Sequence, residues 1–421
     1  MSRQKRQKIT LTVFVMAALF AATTAAAQVE TVLHSFTGPF TDGSNPLSNL
    51  VVDKAGNLYG TTYAGGAVGL GTVFELSPQA GGGWTEEILH NFNNESSDGY
   101  FPYAGLTIDA SGNLFGTTST GGIGDCEIDM GCGTVFELTH VGGAWREKII
   151  YSFKGGVDGF SPLGGVIFDG SGKLYGVTNL GGAYSQGVVF ELILKAGEWG
   201  EHLLHTFHHD GEKHLDGANP VPGLVCDALG NLYGTTTDGG AYGYGTVFEM
   251  VRGAGESWAE KILYSFNNNL TDGLVPDAGV IFDSSGNLYG TNVGGGQYAE
   301  GTVFELVPQS GGSWSEVVLH NFSADGTDGF PPQGGVIFDT SGSLYGTTVN
   351  GGSGINPSGI VYKLTPSSGG AWTENILFNF GESGSGSSPA ASLVFDASGN
   401  LYGTTQSGGT YNFGTVFELV P

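Results

Sequence analysis

Short apolar runs punctuated by turn residues fill this chain, and after residue 27 no stretch keeps a helical period. One run ends in Asp, as in Leu50-Val51-Val52-Asp53 or Val280-Ile281-Phe282-Asp283, and is followed by a tight Asp-x-x-Gly turn. A Leu-Tyr-Gly-Thr-Thr segment comes next, then a Gly-Gly loop, then a segment such as Gly71-Thr72-Val73-Phe74-Glu75-Leu76. The last segment opens at Trp and passes through Glu to an apolar pair and Phe, as from Trp84 to Phe92. Each piece is short, rich in β-branched and aromatic residues and bounded by turn formers, which predicts four strands.

The four-strand unit recurs. The phrase that closes at Gly60 closes again at Gly116, Gly176, Gly234, Gly290, Gly346 and Gly403, so seven units follow one another at spacings of 56 to 60 residues. A four-stranded sheet cannot bury both faces alone, but copies stacked around an axis can if the ring closes. The register says how it closes. The final unit stops at Phe417-Glu418-Leu419-Val420-Pro421 without a Trp segment, while Val29 to Phe36 aligns with the end of that segment in the other units. Six tryptophans (Trp84, Trp145, Trp199, Trp258, Trp314, Trp372) serve seven units, and the seventh position falls on Gln28. The expected fold is therefore all-β: a seven-bladed β-propeller with four antiparallel strands per blade, its N-terminal strand completing the last blade and hiding an otherwise open edge.

Composition agrees with this reading. Glycine supplies 76 of 421 residues, yet aromatics stay at 12%. Disordered low-complexity chains are poor in aromatics, so this is turn glycine. The first 27 residues read as a secretory signal: Arg3, Lys5, Arg6 and Lys8, an apolar run from Leu11 to Ala22, and Ala25-Ala26-Ala27 before Gln28. That run is shorter than the ~20 residues a membrane span needs. Residues 28–421 are then one propeller domain, secreted or periplasmic and not inserted in a membrane after cleavage.

Cleavage removes four of the 14 basic residues and leaves 40 acids. So negative a surface repels phosphate backbones and anionic lipid, which argues against nucleic acid and membrane as partners. Cys126 and Cys132 flank a five-residue insert, where export favours a local disulfide over a metal pair. Cys226 stands where other units carry Phe or Ile and is read as a packed apolar residue.

The Gly-Gly pair after the second strand and the Trp opening the fourth resemble kelch-type propellers. The Leu-Tyr-Gly-Thr-Thr, Gly-Gly and Gly-Thr-Val-Phe-Glu-Leu phrases more closely resemble the bacterial GloVer tandem-repeat proteins, the "choice-of-anchor" secreted family, over residues 29 to 421. The resemblance implies export and a repeat array, and brings no reaction with it. Members often end in a surface anchor; this chain ends at Pro421, so release or periplasmic residence is expected.

The loop between units carries Asp-Gly with Pro following, at Asp42, Asp98, Asp158, Asp216, Asp272 and Asp328, with Ser385 in the last unit. Asp-Gly turns the chain and Pro stiffens its return; a ring of carboxylates that could hold a cation or sugar hydroxyls is the functional alternative. The second repeated acid, Asp53 and its six equivalents, is explained by a capped hairpin turn. In a four-stranded blade the unit-to-unit loop and the Gly-Gly loop share one face. That face collects Tyr184, Tyr242, Tyr244, Tyr298 and Tyr411, beside Tyr63, Tyr100, Phe101, Phe160, Phe330 and Phe413. Such aromatics stack on a neutral glycan or pack loop against loop.

His202, His205, His208, His209 and His214 crowd one strand and its loop; they are read as a solvated loop, and no metal or other cofactor is assigned. No nucleophile, base and orienter stand out from the repeat, so no catalytic residue is named. The expected function is a monomeric, non-enzymatic binding or scaffold propeller taking a neutral glycan or an extracellular protein. A polysaccharide hydrolase or lyase is the alternative, and needs paired carboxylates at the channel mouth. A structural envelope component is the third reading.

Overall fold

A computed structural model describes residues 30–95, 98–126, 130–354 and 356–420. Residues 1–27, read above as a secretory signal, and Gln28 lie outside them. The molecule is a ring of seven four-stranded antiparallel sheets. Blade 1 runs outward from the axis as Val51–Val52, Leu58–Thr62, Thr72–Pro78 and Trp84–Asn91. Blades 2 to 6 repeat that order, the inner strand always two residues long and the outer strand eight or nine.

Blade 7 takes its inner three strands, Val394–Phe395, Leu401–Thr405 and Thr415–Leu419, from the C-terminal end. Its outer strand is Glu30–Ser35, paired so that Glu30 faces Leu419 and Ser35 faces Thr415. The offset legible in the sequence is thus the closure of the ring.

Core side chains come from both sides of each gap between blades. Phe36, Leu50, Leu58, Phe74 and Leu76 pack with Tyr402 and Val416, which joins blade 1 to blade 7. The Trp of each outer strand reaches back to the preceding blade: Trp84 meets Tyr402 edge-on at 6.0 Å, and Trp258 meets Tyr175 at 5.9 Å. Gly60 is glycine because the third-strand Phe lies across it; a Cβ there would sit 2.7 Å from the tip of the Phe74 ring. The Asp-x-x-Gly turn is capped as expected. Asp53 accepts the backbone N–H of Ala55 and of Asn57, at 2.8 and 2.9 Å.

Each outer strand carries a bulge, for example at Leu89, where His90 faces Val73 but Ile88 faces Phe74. The unpaired residue packs inward and re-aims the next side chain, His34, His90 or Tyr151, toward the adjoining loop between blades. This small irregularity brings an outer-strand His or Tyr within reach of the loop aspartate.

Candidate ligand face

The loops between blades and the Gly-Gly loops within blades emerge on one face and are stitched together there. Gly43–Ser44 pairs with Ala64–Gly65, and Gly273–Leu274 with Gly294–Gly295. Close approach explains the Gly-Gly pair. Gly65 has φ +85, and a Cβ on it would lie 2.6 Å from the Asp42 carbonyl oxygen.

Side chains that a soluble domain would ordinarily hide stand out on this face. Tyr184, Tyr242, Tyr298 and Tyr411 occupy equivalent tips of the Gly-Gly loops and are each 51–55% exposed. Val68, Ile123 and Met130 are exposed in the same loops of blades 1 and 2, and Phe40, Val157, Leu215 and Leu270 in the loops between blades. On the rest of the described surface the comparable side chains are Val141, Leu194, Leu229, Val317 and Val420. Other aromatics of the face pack loop on loop: Tyr63 stacks on Phe101 with centroids 5.0 Å apart, and Tyr244 lies 3.4 Å from the Asn268 amide. Tyr184 is itself stacked on His208, with centroids 3.6 Å apart. Loop-on-loop packing thus takes up some of these aromatics and leaves Tyr242, Tyr298 and Tyr411 half-exposed at the tips.

The Asp ring sits beneath the face. Asp42, Asp98, Asp272 and Asp328 are 4–8% exposed, and Asp158 and Asp216 are half-buried. Asp42 accepts the Thr37 N–H at 2.8 Å and lies 3.1 Å from His34 Nε2. A third group completes each set: the Glu two residues after the Trp of the next blade. The sets that span neighbouring blades are His34–Asp42–Glu86, His90–Asp98–Glu147, His205–Asp216–Glu260 and His320–Asp328–Glu374. In two other gaps Tyr replaces His, and its hydroxyl donates to Asp158 at 2.7 Å from Tyr151 and to Asp272 at 3.1 Å from Tyr264. In the last gap Phe378 offers no donor, and the acid is absent too: Ser385 stands there, while Glu30 accepts the Gly386 N–H at 3.3 Å. The departure at Ser385 is thus half of a paired change.

Burial drives these glutamates to hold a proton. It raises Glu86, Glu147 and Glu374 to about 7, Glu201 and Glu260 to about 8, and Glu316 to about 9, with the adjacent aspartate pushing the same way. Asp42 goes the other way and stays ionised, because the His34 and Thr37 hydrogen bonds outweigh its burial. In the His34–Asp42–Glu86 set a glutamate pushed toward its protonated form thus faces an aspartate held ionised, and the set clasps two blades across their gap.

Toward the axis the face opens into the central channel, a cavity of about 360 Å³. The residues following the loop prolines line its mouth and vary from blade to blade: Leu47, Tyr103, Leu163, Val221, Asp277, Gln333 and Ala390. Asp277 is the carboxylate among the lining residues. Gln333 Nε2 points to its Oδ2 at 3.4 Å, and burial raises its pKa. Tyr103, Asn179 and Thr237 add hydroxyls and an amide. A second carboxylate to pair with Asp277, which the polysaccharide-hydrolase reading needs, is not among the described channel-lining residues.

A disulfide joins Cys126 to Cys132, with Cα atoms 5.4 Å apart, and closes the insert in the Gly-Gly loop of blade 2. Cys226 is partly buried against the core shared by blades 3 and 4.

The fold is a closed propeller of tandem repeats with half-exposed tyrosines around one loop face. The chain belongs to the Gloeobacter/Verrucomicrobia repeat family, whose model matches residues 16–125, 124–312 and 259–421. No curated relative matches it. Solved structures similar in fold include a putative 6-phosphogluconolactonase from Bacteroides uniformis, 13% identical over 79% of this chain and 84% of that one, with a TM-score of 0.49. Another is a putative oxidoreductase (glucose dehydrogenase) from Thermus thermophilus, 15% identical over 93% of this chain and 100% of that one, with a TM-score of 0.40. At such distance neither bears on chemistry.

Proposed function

We propose that this protein is an exported, non-enzymatic binding propeller that takes a neutral polysaccharide on the face bearing the Gly-Gly and Asp-Gly loops. The observation that carries the reading is the set of half-exposed tyrosines, Tyr242, Tyr298 and Tyr411, at equivalent loop tips around one face. Aromatic faces stack on the apolar side of sugar rings, and the phenol hydroxyls and nearby amides meet sugar hydroxyls. Repetition around a ring suits a repeating ligand, since each tip engages one unit and the contacts add through effective concentration. The strong negative charge of the chain disfavours anionic polymers and leaves a neutral chain as the better fit. The disulfide agrees with an oxidising compartment outside the cytoplasm. Among the described residues no helix is long and apolar enough to cross a membrane.

The test is retention of the mature chain on a panel of neutral and acidic polysaccharides, beside a Tyr242→Ala/Tyr298→Ala/Tyr411→Ala variant. These side chains are too exposed for the fold to depend on them. Retention by one or more neutral polymers, lost in the variant, is expected. Equal retention of the variant, or retention by acidic polymers alone, overturns the reading.

A further inference from the structure

The loop from blade 3 to blade 4 departs from its six counterparts. It carries His208, His209, Asp210 and His214 in a longer excursion, folded back on itself by a bridge between His209 and Leu215. Asp210 Oδ1 organises the turn by accepting the N–H groups of Glu212, Lys213 and His214 at 3.0, 2.8 and 2.9 Å. Its other oxygen, Oδ2, stands 2.7 Å from His214 Nδ1. His208 is fixed at its backbone, whose N–H reaches Asp216 at 3.0 Å, and the His209 N–H reaches the Gln186 side chain of blade 3. The result gathers one nitrogen from His208, one oxygen from Asp210 and one nitrogen from His214 within 4.8 Å of one another. His202 and His205, which share the sequence cluster, face Glu191 and Asp216 instead.

We propose that His208, Asp210 and His214 form a surface site for a divalent transition metal of the zinc, cobalt or nickel type. Two imidazoles and a carboxylate are the donor set such ions prefer over calcium or magnesium. Ligands each about 2.0–2.1 Å from an ion stand roughly 2.9–3.4 Å apart, so His214 Nδ1 and Asp210 Oδ2, now 2.7 Å apart, need only part by a few tenths of an ångström to admit one. The carboxylate is held in place before the ion arrives by the backbone N–H groups on Oδ1, while Oδ2, hydrogen-bonded to His214 Nδ1, takes up the ion as the proton between them leaves.

The His208 ring is half-buried between Tyr184 and His214, at 3.6 and 3.8 Å between centroids. An imidazole lone pair lies in the ring plane, so coordination turns His208 away from the Tyr184 face. The ion then holds the loop, and Tyr184 becomes a free aromatic tip like those of blades 4, 5 and 7. The four His–Asp–Glu clasps between blades gather three donors as well but are more enclosed than the loop set, and stoichiometry separates them from it.

The site is tested without any glycan, so its outcome is separate from that of the binding-face reading. Cobalt(II) is titrated into the mature chain at pH 7.5 and followed by visible absorption and calorimetry. One ion per chain is expected, with affinity falling at least tenfold in His214→Ala and in Asp210→Asn. His202→Ala leaves it within about twofold, and Tyr184→Ala, which frees the His208 ring, does not weaken it. No binding, binding that survives His214→Ala, or a stoichiometry near four that falls in His90→Gln and His320→Gln overturns the proposal.

Discussion

The hydroxyl of Thr404 donates to the carbonyl oxygen of Ser48, 3.0 Å away and 356 residues earlier in the chain. The same bond links each blade to the next elsewhere: Thr61 to Ala104, Thr117 to Gly164, Thr235 to Ala278, Thr291 to Gly334 and Thr347 to Ala391. Blade 3 has Val177 at that position, and there the Asn179 amide spans the gap to the Pro220 carbonyl at 3.2 Å. Since the Thr404 bond repeats the spacing of the others, the seventh gap is no looser than the first six. The two chain ends meet in one blade.

Closure makes the N-terminal strand indispensable. Deleting residues 28–36 removes the outer strand of blade 7 and the fully buried Phe36, and exposes the edge of Thr415–Leu419. An unpaired edge templates association. The truncated chain is expected to melt several degrees lower or to aggregate, from a loss of several kcal/mol. Size-exclusion chromatography and thermal denaturation check this; an unchanged melting point contradicts ring closure.

The clasps make stability depend on pH in an unusual direction. Glutamates raised to about 7 to 9 in the folded chain bind protons that the unfolded chain releases near its ordinary value of 4.5. Their contribution is fully present below pH ~4.5 and is lost as pH rises through the folded values, each unit of displacement corresponding to about 1.4 kcal/mol. His34, raised mainly by its bond to Asp42 against the opposing effect of burial, acts in the same direction. Asp42, lowered, acts oppositely and only in stronger acid. The melting temperature is expected to fall by several degrees between pH 5 and pH 9. Glu316→Gln, which keeps the shape and cannot ionise, should raise it at pH 9 and hardly move it at pH 5.

Much of this architecture was legible because it repeats. Seven copies of one phrase, and an outer strand displaced to the front of the chain, fix blade number and closure without coordinates. The clasp was harder to see, since its Glu belongs to the next blade. A recurring Trp-x-Glu was visible, as was the absence of both Asp at Ser385 and a donor at Phe378, but only the ring shows that these positions meet. Asp277 was invisible for the opposite reason. It sits where the repeat is most variable, and only the axis brings Leu47, Tyr103 and Gln333 around it. The histidines formed an obvious cluster in sequence, yet folding divides them, and only His208 and His214 face each other.

Two exceptions to the repeat predict gains in stability. Tyr362 replaces the third-strand Phe of every other blade; its ring is fully buried and its hydroxyl has no hydrogen-bond partner among the described residues. Tyr362→Phe should stabilise the chain by about 1 kcal/mol by removing an unsatisfied polar group. Denaturant titration measures it, and a loss of stability would show that the hydroxyl is satisfied.

The second exception precedes a loop proline. Val275 adopts φ 57, where the equivalent residues in two other loops are Asn45 and Asn219. A β-branched side chain in the left-handed region costs roughly 1–2 kcal/mol, and Asn tolerates that region far better. Val275→Asn is expected to raise stability by about 1 kcal/mol in the same titration.

Hydrogen exchange of the mature chain, with and without the best-retained neutral polysaccharide, tests the central claim most directly. Slowed exchange confined to the tips at 183–186, 241–244, 297–300 and 410–413 and to the channel mouth around Asp277 is the predicted footprint. Protection instead at the opposite hairpins, at 53–57 and 79–83 and their equivalents, would place the ligand on the wrong face and contradict it.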